Sequence, residues 1–263
     1  MDRHRHTDKV AIVTGAGSGI GRATALRLAQ EGARVVGCDV NASALEDARA
    51  QFADLGVHAT LVVADITRQD EVERLVHAAG PHIDMLANVA GIMDHFLPLA
   101  ELDDATWAHV IDVNLTGVMR LSRAVLPGME AAGGGAIVTV ASEASLGAGC
   151  AGASYTSSKH AVIGLVKHIA YFYGPKHVRS NAVLPGAVNT GIGATADPRS
   201  RWAMERAMLA MATMPDAAEP DQIATVISVR TYAGHTAFAR TPVPASSAAT
   251  ARIRPIAACL EAV

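Results

Sequence analysis

Val10-Ala-Ile-Val-Thr14-Gly15-Ala16-Gly17-Ser18-Gly19-Ile20-Gly21 is the stretch that decides the fold. Val10 to Thr14 is apolar and partly β-branched, and reads as a buried strand. Glycines follow at once, where a chain can turn tightly and bring its backbone close to a ligand. Gly21 to Glu31 has helical spacing, with Ala25, Leu28 and Ala29 on one face and Gly32 as the stop. In this strand–turn–helix setting Gly15, Ser18, Gly19, Ile20 and Gly21 read as a dinucleotide fingerprint rather than a merely flexible turn. N–H groups at the start of the helix can hold a pyrophosphate.

Outward from this unit the alternation repeats. Strands are expected at Arg34–Cys38, Ala59–Ala64, Ile83–Val89, Ala136–Ala141 and Arg179–Leu184. Helices are expected at Ala42–Leu55, Gln69–Ala79, Asp103–Met129 (one or two), Tyr155–Tyr173 and Asp221–Val229. Near-continuous apolar strands alternating with helices imply a parallel sheet covered on both faces. Right-handed crossovers make it an α/β, doubly wound sheet in one domain. No internal repeat is visible.

Asp39 stops the second strand, 24 residues after Gly15. A carboxylate there accepts both ribose hydroxyls of an adenosine and repels a 2′-phosphate. No Arg or Lys stands at Ser18, Val40 or Asn41 to welcome that phosphate, so NAD is expected over NADP.

Composition narrows the partners. The 263 residues are 50% hydrophobic and only 4% aromatic, so a large core is to be built from Ala, Val, Leu and Ile. The formal net charge is −3 and basic residues are dispersed, which gives no footprint for nucleic acid. Cys38, Cys150 and Cys259 are odd in number and far apart, which fits neither a disulfide framework nor a zinc site and suits a reducing cytoplasm. The scattered histidines form no ligand cluster, so no metal is expected. No apolar run reaches the ~20 residues that cross a bilayer. Met1 to Asp8 is polar, lacks the apolar region of a secretory signal, and reads as a frayed, disordered tail.

Tyr155 and Lys159 are four residues apart, and Ser142 stands thirteen residues before the tyrosine. On a helix the phenol and ammonium share a face. The ammonium is expected to favour the phenolate and lower the tyrosine's proton affinity. A phenol so tuned trades a proton with an alcohol or carbonyl oxygen.

Thr14-Gly-x-x-x-Gly19-Ile-Gly21, Asp65, Asn88-Val-Ala-Gly91, Asn114, Ser142, Tyr155-x-x-x-Lys159 and Pro185-Gly186 together resemble the short-chain dehydrogenase/reductase family, in its order and spacing, over about residues 8 to 230. The resemblance implies a Rossmann-type fold, a nicotinamide cofactor, a small-molecule alcohol or ketone substrate, and a homo-tetramer or homo-dimer. It implies that Tyr155 is the general acid/base and that Lys159 lowers its pKa and holds the nicotinamide ribose. Ser142 then binds the substrate oxygen, and Asn114 helps a water chain reach Lys159. Asp65 and Ile66 are implied to hold the adenine edge, and Asn88, Ala90 and Gly91 to line the middle of the cofactor. Pro185, Gly186, Val188 and Thr190 fall to the nicotinamide half.

Two departures stand out. Val89 replaces a second Asn of the family pattern, a change expected to have a modest effect. Residues 231–263 are rich in Ala, Arg, Thr and Pro without a helical or strand period, and lack the family's closing strand. They read as a replaced segment, such as a change of reading frame leaves. A sheet edge left open this way weighs against assembly. It also keeps a rival reading alive, a Rossmann nucleotide-binding or scaffold protein that has lost turnover. Residues 191–220 are expected to cover the substrate. Trp202, Met204, Met208, Leu209, Met211 and Met214 suit an apolar, cyclic or steroid-like ligand, or else pack as an ordinary amphipathic helix.

Overall fold

The computed structural model describes residues 5–193, 196–212 and 215–232. Six strands form one sheet: β1 (Val10–Thr14), β2 (Arg34–Asp39), β3 (Ala59–Val63), β4 (Met85–Asn88), β5 (Gly135–Val140) and β6 (Val178–Val183). Their order is β3-β2-β1-β4-β5-β6, and every neighbouring pair is parallel. The helices are α1 (Gly19–Gln30), α2 (Ala42–Asp54), α3 (Gln69–Ala79), α4 (Asp104–Ile111), α5 (Val118–Ala131), α6 (Ala153–Tyr173), α7 (Arg201–Met211) and α8 (Pro220–Tyr232). A π-helical turn, Asp112–Gly117, joins α4 to α5 without a break. This is the doubly wound α/β sheet that the sequence predicts.

Successive residues of a strand point to opposite faces, and β1 shows the consequence. Ala11 and Val13 join one core with Leu28 of α1, Leu45 and Phe52 of α2, and Ile223 and Ile227 of α8. Ile12 between them joins the other, with Leu75 of α3, and Leu121, Val125 and Met129 of α5. Small and aliphatic side chains fill both layers, as the low aromatic content requires. No helix among the described residues is long and apolar enough to cross a membrane.

The first and last described residues are tied to the rest of the protein. Arg5 to Asp8, read as part of a frayed tail, form a turn against the protein. His6 is 1% exposed, its backbone N–H donates to Glu31 O at 2.8 Å, and its Nε2 lies 3.2 Å from Ser228 Oγ of α8. At the other end Thr231 and Tyr232 complete α8, and Arg179 of β6 donates to the carbonyls of Arg230 and Thr231 at 2.7 Å each. The remainder of the atypical segment, from residue 233, lies outside the described residues.

Candidate active site

The winding of the sheet reverses between β1 and β4, which leaves a crevice at the carboxyl ends of the strands. A cavity of about 630 Å³ opens there. Its first wall is the glycine turn, with Gly15, Ser18, Gly19, Ile20 and Gly21 on the surface. Gly21 tolerates no side chain, because a Cβ would sit 2.0 Å from the carbonyl oxygen of Gly15. Ser18 at the start of α1 makes no side-chain cap, which leaves the first-turn N–H groups for another acceptor. Asp39 accepts from the N–H groups of Gly17 and Asn41, both at 3.0 Å, and lines the cleft beyond them. Asp65 accepts from the N–H and hydroxyl of Thr67 at 2.8 and 2.7 Å, beside Ile66. These groups fit a dinucleotide: backbone donors for a diphosphate, a carboxylate for sugar hydroxyls, and a cradle a side chain would fill.

Ala90, Gly91, Pro185, Gly186, Val188 and Thr190 continue the lining. The Thr14 hydroxyl accepts from the N–H groups of Val89 and Ala90 at 2.9 and 3.0 Å. The backbone at the departure from the family pattern is thus satisfied from β1, and the Val89 side chain packs against the core.

Ser142, Tyr155 and Lys159 meet deeper in the same cleft. Ser142 follows β5; its Oγ accepts from Ala144 N at 3.1 Å, and its hydroxyl hydrogen-bonds the Tyr155 phenol. Tyr155 and Lys159 stand one turn apart on α6, 8% and 4% exposed. The Lys159 ammonium donates to Val140 O at 3.0 Å and lies 5.6 Å from the centre of the tyrosine ring. Burial lowers Lys159 to about 8, which keeps it mostly cationic at neutral pH.

Tyr155, Asn88 and Asn114 have surroundings that their spacing in the sequence does not give. The effect expected of the lysine on the tyrosine is opposed by the tyrosine's own burial. Burial raises the phenol above its ordinary value, the Ser142 hydroxyl opposes the rise, and the Asp94 carboxylate adds to it. The spacing of Tyr155 and Lys159 reveals their proximity and not the desolvation that outweighs it. Asn88 does not line the cleft: it is buried in the sheet, and its amide donates to Ser122 and Thr139 at 3.2 and 3.4 Å. Asn114 is also buried, in the π-helical turn. Its side chain accepts from Ile92 N at 2.9 Å and donates to Ile92 O and Ser158 Oγ at 3.0 and 3.2 Å. Asn114 and Lys159 do converge on Gly91, whose added Cβ would meet Oδ1 at 3.2 Å and Nζ at 3.4 Å.

Within residues 191–220, Gly191 and Ile192 reach the cleft. On α7, Met204 and Met211 pack with Phe96, Ala196 and Ala207, while Trp202, Met208 and Leu209 face outward. Apolar residues of this helix thus stand on both its packed and its exposed sides. Met214 lies outside the described residues. The sequence reading passed over Asp94, a fully buried acid three residues after Gly91. An aspartate inside the apolar stretch Val89–Leu97 was the available signal.

Residues 9–200 match the model of the short chain dehydrogenase family. The chain is 37% identical over 231 residues to 3beta-hydroxysteroid dehydrogenase 2 of Eggerthella lenta, covering 85% of this chain and 89% of the relative. It is 40% identical over 217 residues to cis-4-hydroxycyclohexanecarboxylate dehydrogenase of Sinomonas cyclohexanicum, covering 81% and 87%. The crystal structure of levodione reductase superposes with a TM-score of 0.78 at 32% identity, over 86% of this chain and 91% of that one. A crystal structure from Beutenbergia cavernae, assigned as an NAD(P)-dependent gluconate 5-dehydrogenase, has NADP bound at low occupancy. It superposes with a TM-score of 0.75 at 35% identity, over 86% of this chain and 91% of that one.

Proposed function

Because this chain belongs to the short chain dehydrogenase family of oxidoreductases, we propose that it interconverts a hydrophobic or cyclic secondary alcohol and its ketone, with NAD as hydride carrier and Tyr155 as general acid/base. The observation that carries the reading is the meeting of Ser142, Tyr155 and Lys159 in one cleft with the glycine turn and Asp39.

In the oxidative direction the Ser142 hydroxyl donates to the substrate oxygen and fixes it against Tyr155. Lys159 places a positive charge near the phenolate and favours it before the phenolate takes the hydroxyl proton; its remaining donors would hold a ribose. A bound nicotinamide supplies the hydride acceptor, and the protein's contribution is position and electrostatics. In the reverse direction Tyr155 returns the proton to the alkoxide oxygen. Burial raises the phenol's proton affinity in the free protein, which favours its acid form.

The choice of NAD rests on Asp39, whose two oxygens each accept one backbone N–H and which lines the cleft where an adenosine ribose would lie. An apolar substrate is supported by Ile92, Val113 and Ile192 in the lining and by relatives named for hydroxysteroid and hydroxycyclohexanecarboxylate substrates. The test is titration with NAD and NADP side by side, followed by NADH formation with a panel of cyclic secondary alcohols. Tighter binding of NAD by about tenfold, or 1.4 kcal/mol, and turnover on at least one alcohol are expected. NAD binding without turnover on any of them favours the scaffold reading, and preference for NADP removes the role given to Asp39.

A further inference from the structure

The carboxylate most closely tied to the reacting tyrosine has no part in the scheme above. Asp94 lies in the loop after β4 and is completely buried. A buried carboxylate persists only when its oxygens are well satisfied, and here the donors come from the start of α6. Oδ1 accepts from Gly152 N at 3.0 Å. Oδ2 accepts from Tyr155 N at 2.8 Å and from the Ser154 hydroxyl at 3.2 Å.

The position of these bonds is informative. Gly152 occupies the N-cap of α6 and has no side chain to cap it. The N–H of the third helical residue, which an N-cap side chain ordinarily satisfies, belongs here to Tyr155. Asp94 therefore acts as the cap from a distant segment. Leu97 O adds a bond from Ala153 N at 3.0 Å. The approach is so close that a Cβ on Gly152 would lie 2.5 Å from Asp94 Oδ2 and 2.6 Å from Leu97 N. The loop is itself held in an unusual path: His95 and Phe96 both have positive φ, at 58° and 54°. Phe96 is buried against Ala196 and Ala207, and His95 O accepts from Arg199 N at 3.1 Å.

We propose that Asp94 is the positioning residue of Tyr155: by capping α6 from the loop after β4, it fixes the tyrosine relative to the sheet and cleft rather than only to its own helix. The inference rests on reading Tyr155 as the acid/base. A carboxylate at a helix N-terminus is favourable for the helix. The same negative charge disfavours a nearby phenolate. Lys159 on its own helix and His109 of α4 line the same cleft as Tyr155, and Glu143 follows Ser142 in the turn after β5. Replacing Asp94 leaves all three in place.

The decisive variant is Asp94→Asn, which keeps the shape, removes the charge and turns one of the two acceptor oxygens into a donor. We expect kcat to fall about tenfold or more through misplacement of the phenol, with cofactor affinity changed by less than about twofold. The acid limb of the kcat profile for alcohol oxidation moves to lower pH. Ultraviolet titration reads the same shift without substrate: of the four tyrosines, the contribution of Tyr155 is isolated by difference from Tyr155→Phe, and its transition moves to lower pH in Asp94→Asn. An unmoved transition together with unchanged kcat overturns the proposal. Should Asp94→Asn not fold, Ser154→Ala removes one of the three donors and keeps the charge. A loss of about threefold in kcat at constant cofactor affinity is expected, and no loss overturns the positioning role. Wild-type protein without turnover counts against the acid/base reading, and the ultraviolet titration then decides on Asp94 alone.

Discussion

The sheet carries a cavity at each end, about 630 Å³ at the strand carboxyl ends and about 480 Å³ at the opposite end, and the two use their polar groups differently. At the amino end, charges are consumed by neighbours. Lys9 and His82 both engage Asp84, at 2.8 and 3.0 Å, and Arg179 is bound to the last carbonyls of α8. His6 is locked against Ser228 and Glu31, and Ser228 in turn donates to Glu31. At the carboxyl end the backbone holds each side chain while leaving part of it over. Asp39 is gripped by two N–H groups, Ser142 accepts from Ala144 and reaches the phenol of Tyr155 at the cleft surface, and Lys159 donates to one carbonyl. Charge alone does not mark a functional site. What marks it is a polar group whose position is fixed and whose bonding is unfinished.

Substitutions at the two ends should therefore separate cleanly. Tyr155→Phe has the largest expected effect, a loss of about a thousandfold in turnover, with cofactor affinity measured by fluorescence within about threefold of wild type. Lys159→Met follows, with turnover down about a hundredfold through lost electrostatic stabilisation. The wild-type lysine, titrating at about 8, is cationic below that pH and loses its charge as pH rises through it. Affinity for reduced cofactor should accordingly weaken above pH 8 in wild type and stay flat in the Lys159→Met variant.

At the other end, Arg179→Ala should cost about 2 kcal/mol of stability in denaturant unfolding, the cost of two lost charge-assisted hydrogen bonds partly offset by released desolvation. Turnover per folded molecule should be unchanged; a large loss of turnover would mean that the two ends are coupled. The smallest effect is at His6. Burial lowers its pKa below the unfolded value, so the folded state resists its protonation. Its contribution is intact above pH 6.5 and is lost as pH falls below that value. Comparison of wild type with His6→Gln should show the stability difference narrowing between pH 7 and pH 5.

The strands and most helices were legible because a buried parallel strand is a short apolar run that punctuation residues bound on both sides. Val10–Thr14 and Gln69–Ala79 fall where the sequence puts them. The joint between α4 and α5 was legible only in part: Asp103 to Met129 reads as one or two helices, and its spacing does not place the π-helical turn in which Asn114 bonds to Ile92 and Ser158. Asn88 shows a second limit. A polar residue at a strand end reads equally well as facing a ligand or a neighbouring strand, and only the packing of Ser122 and Thr139 decides. Asp94 escaped notice because its partners are 58 to 61 residues away, in a segment with no period. The proton affinity of Tyr155 is set by burial, which no local spacing encodes. His6 became structural through α8, which lies far along the chain.

The central claim, that Tyr155 moves the proton while hydride passes at this cleft, is tested most directly with a cyclic secondary alcohol deuterated at its carbinol carbon. Mass spectrometry of the reduced cofactor should find the deuterium transferred by the wild-type protein. The rate should fall by about a thousandfold in Tyr155→Phe although the variant still binds NAD. Deuterium transfer by Tyr155→Phe at the wild-type rate would contradict the account.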